Sequence, residues 1–65
     1  MKILCFSNKR EYSGRLTVFR RGKVYEAFES GGYLYATADD GVEEAVAFEK
    51  PYNKDPRFKD HFEFV

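Results

Sequence analysis

The 65-residue sequence has one cysteine, one histidine and no tryptophan, and each scarcity removes a class of explanation. With Cys5 alone no intramolecular disulfide forms, and Cys5 with His61 is too little for a Cys/His zinc site. Cys5 lies in the apolar run Ile3-Leu4-Cys5-Phe6, where a cysteine behaves as a small buried hydrophobe rather than a reactive thiol. His61 has no serine or cysteine at a catalytic spacing, and Asp39-Asp40 is accounted for by a turn, so neither an enzymatic reaction nor a cofactor is expected. Asp39-Asp40-Gly41 also lacks the alternating oxygen ligands and distal glutamate of a calcium loop. No run approaches the length of a membrane span, and the four apolar residues after Lys2 are fewer than the ~7 that a signal sequence needs. A soluble, cytoplasmic protein is the expectation, because a lone cysteine also suits a reducing compartment.

What is present is aromatic area. Seven Phe and five Tyr stand in a chain whose size lets it bury only about 60% of its unfolded surface. Without disulfide or metal, ring burial must fill the core. Self-association is a further route to stability.

Apolar periodicity divides the chain into short strands. Residues 2–7 read as a first strand buried on both faces, followed over 8–14 by a polar loop with Ser13-Gly14 as its turn. Residues 15–20 read as a second strand, with Arg21-Gly22 as a tight connection or a bulge, and 23–29 as a third. Ser30-Gly31-Gly32 supplies positive-φ positions for a hairpin, and 33–38 follows with either face able to turn inward. Asp39-Asp40-Gly41 predicts a type I′ turn into a strand over 42–48, where Glu, Ala and Lys make a helix the competing reading. Pro51 ends that segment; Asp55 and Pro56 suit the N-cap and first position of one helical turn near residues 55–59, and 61–65 closes the sheet. The spacing argues for a single all-β domain over residues 1–65, a barrel or a sandwich.

Net charge is zero, yet the two signs are segregated. Residues 1–23 carry seven basic side chains against Glu11 alone, and residues 24–49 carry seven acidic ones and no basic one. Separated patches steer charged partners. The plainer explanation is that basic and acidic strands cancel across the sheet, while exposed acids blunt strand edges against aggregation.

Gly22-Lys23-Val24-Tyr25-Glu26, Tyr33-Leu34-Tyr35, Asp39-Asp40-Gly41 and Phe62-Glu63-Phe64 together resemble small SH3-like barrel proteins of unknown role encoded by bacteriophages and prophages. The likeness covers residues 15–64. It implies a small SH3-like barrel of about five to six short antiparallel strands and a phage origin, with no common activity. Peptide-binding SH3 domains differ: this chain has neither their tryptophan nor their Ala-Leu-Tyr-Asp-Tyr motif, which argues against proline-rich ligands.

Two functions follow as expectations. The first is a protein-binding module, a small phage factor that occupies a host protein, with Glu26, Glu29, Asp39, Asp40, Glu43 and Glu44 as its acidic surface and strand tyrosines as anchors. The second is single-stranded nucleic-acid binding through Lys9, Arg10, Arg15, Arg20, Arg21 and Lys23, with Tyr12, Phe19 or Tyr25 stacking on bases. A pI near 6.6 weighs against the second.

Overall fold

In the computed structural model, which describes residues 1–8 and 18–65, five strands form one antiparallel sheet. They are β1 (Lys2–Cys5), β2 (Val24–Ser30), β3 (Tyr33–Thr37), β4 (Glu43–Ala47) and β5 (Phe62–Phe64), in the spatial order β4-β3-β2-β1-β5. The architecture is a small all-β fold, its sheet curled into a half-barrel. The longest strand does the curling: the first half of β2 pairs with β1, as in Ile3↔Tyr25, and the second half with β3, as in Phe28↔Tyr35. A 3-10 turn (Tyr52–Lys54) and a one-turn helix α1 (Pro56–Lys59) connect β4 to β5. Among the described residues no helix is long and apolar enough to cross a membrane.

The expected loop over 8–14, from residue 9 onward, and residues 15–17 of the expected second strand lie outside the described residues. Residues 18–20 contribute one bridge residue, Phe19. The segment after Asp39-Asp40-Gly41 is strand, not helix, as β-hairpin pairing with β3 requires.

The type I′ turn expected at Asp39-Asp40-Gly41 is found instead at Gly31-Gly32. Gly31 and Gly32, at φ 60° and 85°, occupy both central positions between the paired Ser30 and Tyr33, and type I′ requires positive φ at both. At the second turn Gly41 donates its N–H to the Ala38 carbonyl at 3.0 Å, and the Ala38 N–H bonds the Val42 carbonyl at 2.9 Å. Asp39, Asp40 and Gly41 therefore form a three-residue loop, with Gly41 at φ 84° in the third place, where a left-handed residue closes a bulge. The Asp40 carboxylate accepts the Val42 N–H at 3.2 Å and favours this longer loop over the two-residue turn.

Alternation decides the sheet faces. Tyr25 and Ala27 of β2 and Leu34 and Ala36 of β3 point into the core, so Glu26, Phe28, Tyr33 and Tyr35 point out. In β4 the pattern breaks: Leu34 pairs with Ala47 and Tyr35 with Ala45, leaving Val46 as an extra residue, and Val46 and Ala47 are both fully buried. The core is filled by rings. Phe19 meets Tyr25 and Phe62 edge-on, at centroid separations of 4.9 and 5.1 Å, and Phe58 stacks on Phe62. Cys5 is buried among them, as a small hydrophobe would be, and its Sγ donates to the Ser7 carbonyl.

Candidate functional site

The outward positions of β2, β3 and the end of β4 carry a second ring cluster, separate from the core. Phe28 and Tyr35 are directly opposed across β2 and β3, with rings parallel to within 17° and centroids 5.5 Å apart. Tyr33 stands edge-on to Tyr35 and to Phe48, which extends the row beyond β4. Phe28, Tyr33 and Phe48 remain 38%, 42% and 41% exposed, although the interior already has its own complement of rings. Phe28, Ser30, Tyr35 and Glu43 line an open depression on this face.

The six acidic residues expected to form one surface lie in several places. Glu26 and Glu43 flank the rings on the outer face: Glu43 opposes Thr37 on β3, and Glu26 lies one step beyond the Ala27↔Ala36 pair on β2. Glu44 lies opposite the inward-facing Ala36 and is half-buried. Asp40 caps its own turn, and Glu29 turns toward the 3-10 turn.

Asp39 joins the two rival patches. Its carboxylate accepts bonds from Lys23 Nζ at 2.6 Å, from Arg20 Nε at 3.2 Å and from the Tyr25 hydroxyl at 3.1 Å. The Tyr25 hydroxyl in turn accepts the Arg20 main-chain N–H at 2.8 Å. Burial pushes the Asp39 carboxyl up, but the bonds from Lys23 and Tyr25 and the charges of Lys23 and Arg20 outweigh it, so its pKa is held below the usual range. Opposite charges thus cancel here between residues that lie outside the strands. Arg20 and Lys23 are committed to Asp39, Arg21 is exposed, and Lys9, Arg10, Tyr12 and Arg15 lie outside the described residues.

One structural carboxylate went unremarked in sequence beyond its capping role. Asp55, buried between the 3-10 turn and α1, accepts the main-chain N–H groups of Phe48 and Glu49 as well as that of Arg57, and so ties the end of β4 to α1. It also holds the Arg57 guanidinium, bonding Nε at 3.0 Å and Nη2 at 3.3 Å, and that planar cation lies 4.3 Å above the Phe48 ring. A nearby ion pair anchors the 3-10 turn, with Lys50 Nζ 2.7 Å from Glu29 and the Tyr52 hydroxyl donating to Glu29 at 2.6 Å.

Partial burial and the adjoining Glu29 carboxylate push the Tyr52 phenol up to about 12. A phenol raised above its unfolded value of about 10 stabilises the fold at lower pH and loses that contribution as pH climbs toward its folded value. An ultraviolet absorbance titration should therefore show a late-ionising tyrosine. Tyr52→Phe should remove that late phase and Glu29→Gln should bring it earlier; a titration unchanged by either substitution would show that the bond is not made.

No known protein family, curated protein or solved structure matches the chain.

Proposed function

We propose that this protein is a non-enzymatic protein-binding module whose docking surface is the outer face of β2, β3 and the end of β4. The observation that carries this reading is the exposed ring row Phe28, Tyr35, Tyr33 and Phe48 on a chain whose core is already packed with other rings. A contiguous aromatic patch with a polar rim has the make-up of an interface centre, and tyrosine supplies broad contact area at low entropic cost. The partner inferred from the phage resemblance is a host protein. Nucleic-acid binding finds less support, because Glu43 lines the depression beside the Phe28 and Tyr35 pair and the Arg57 cation above Phe48 is already bonded to Asp55.

The test is affinity capture from bacterial lysate, with and without nuclease, by the natural protein and by the double variant Phe28→Ser/Tyr35→Ser. A stoichiometric protein that survives nuclease and is lost with the double variant is the expected result. Recovery of nucleic acid, released as salt rises, or equal capture by the double variant would overturn the reading.

A further inference from the structure

The geometry points to a specific ligand chemistry for the outer face: the depression lined by Phe28, Ser30, Tyr35 and Glu43 receives an arginine guanidinium from a cationic segment of the partner. This rests on the outer face being the docking surface. The chain already practises the same chemistry on itself, because the Arg57 guanidinium lies 4.3 Å above the Phe48 ring while the Asp55 carboxylate bonds its edge. The depression offers the same two ingredients, ring faces from the parallel Phe28 and Tyr35 pair and a carboxylate at the rim from Glu43. Among the described residues no cation forms an ion pair with Glu43. Ser30 adds a hydroxyl acceptor elsewhere on the lining.

Charge chooses among the possible occupants. Nucleic acid would bring phosphates against Glu43, and a second copy packed face to face would bring both copies of Glu43 into one interface. A cationic peptide is complementary to Glu43, whereas Glu26 already faces Lys2 directly across β1 and β2. Arginine is favoured over lysine because the guanidinium is planar, weakly hydrated and able to stack while its edge bonds a carboxylate.

The experiment follows amide chemical shifts of the isotope-labelled protein on titration with an unstructured glycine-serine peptide bearing alternate arginines. Matched peptides carry lysine or the neutral isostere citrulline. Shifts are expected to concentrate at Phe28, Ser30, Tyr35 and Glu43, with arginine binding about two- to five-fold more tightly than lysine and citrulline leaving them unmoved. Glu43→Gln should weaken the arginine peptide about three-fold, the size of an exposed ion pair, with unchanged melting. Equal binding of citrulline, shifts centred elsewhere, the same shifts with oligothymidylate, or concentration-dependent shifts without peptide would each overturn the inference. If peptides leave the face unmoved while Phe28→Ser/Tyr35→Ser still loses a captured protein, the guanidinium site fails and the docking surface stands. If the double variant retains that protein, both fail.

Discussion

Replacing Asp55 by alanine is expected to leave the protein unfolded at room temperature, with the far-ultraviolet circular dichroism of a disordered chain. The Asp55 side chain is 1% exposed and both of its oxygens are occupied. Oδ2 accepts the Phe48 N–H at 2.7 Å and the Glu49 N–H at 3.0 Å, and Oδ1 accepts the Arg57 N–H at 2.9 Å and Arg57 Nε at 3.0 Å. Alanine removes the acceptor for three main-chain donors and one cation at once, and loss of one partner from such a buried charged network costs about 3–5 kcal/mol. A domain of this size has only about 3–10 kcal/mol of total stability. Asparagine is a poor rescue, because whichever oxygen becomes the amide nitrogen then faces at least two donors. A folded Asp55→Ala variant that melts within about 5 °C of the natural protein would mean the network contributes under about 1 kcal/mol.

The same residue gives the fold an acid limit. The Arg57 guanidinium holds the Asp55 carboxyl well below the usual carboxylate range against the opposing effect of burial, and the N–H groups of Phe48, Arg57 and Glu49 assist it. A carboxyl with a depressed folded value contributes fully above its unfolded value of about 3.9 and loses that contribution as pH falls further, toward the folded value. Asp39 acts in the same direction. Stability measured by denaturant titration should therefore be level near neutrality and fall below about pH 4, and Asp39→Asn, which leaves the Asp55 network in place, should show a shallower fall.

Asp55 also shows what a sequence can and cannot disclose. Its capping of α1 was legible because Asp55, Pro56 and Arg57 are adjacent and capping is a local geometry. Its bonds to Phe48 and Glu49 were not, because they depend on the 3-10 turn folding back toward β4. Asp39 repeats the lesson: its place in a turn followed from Asp39-Asp40-Gly41, whereas its partners Arg20 and Lys23 lie 19 and 16 residues away. Strand positions were legible from period-two patterning, but Tyr33-Leu34-Tyr35-Ala36 offers an apolar side chain on either face. Only pairing with β2, whose Tyr25 and Ala27 turn inward, decides that the tyrosines face out. The bulge at Val46 hides likewise, because an extra residue in one strand is defined by its neighbour. The candidate ring surface is therefore a product of register. Its residues were visible as aromatics, and their assembly on one face was not.

Two single-ring removals, Phe62→Ala and Phe28→Thr, are expected to have opposite consequences for folding and for binding. Phe62 is 1% exposed and lies between the Phe19 edge, at 5.1 Å, and the Phe58 face, at 5.7 Å. Truncation there opens a cavity at the centre of the core and costs about 3–5 kcal/mol, enough to unfold a domain this small. Phe28 is 38% exposed and its principal ring neighbour is Tyr35 across the strand pair. Losing that cross-strand pair costs about 0.2–1 kcal/mol, and threonine keeps the strand preference of the position. Phe28→Thr should therefore melt within a few degrees of the natural protein, as measured by circular dichroism, and yet lose partner capture. If Phe28→Thr unfolded as Phe62→Ala does, the outer rings would be a second core, and their exposure would no longer argue for a docking surface. A stable Phe28→Thr would leave these rings with a role that folding does not supply.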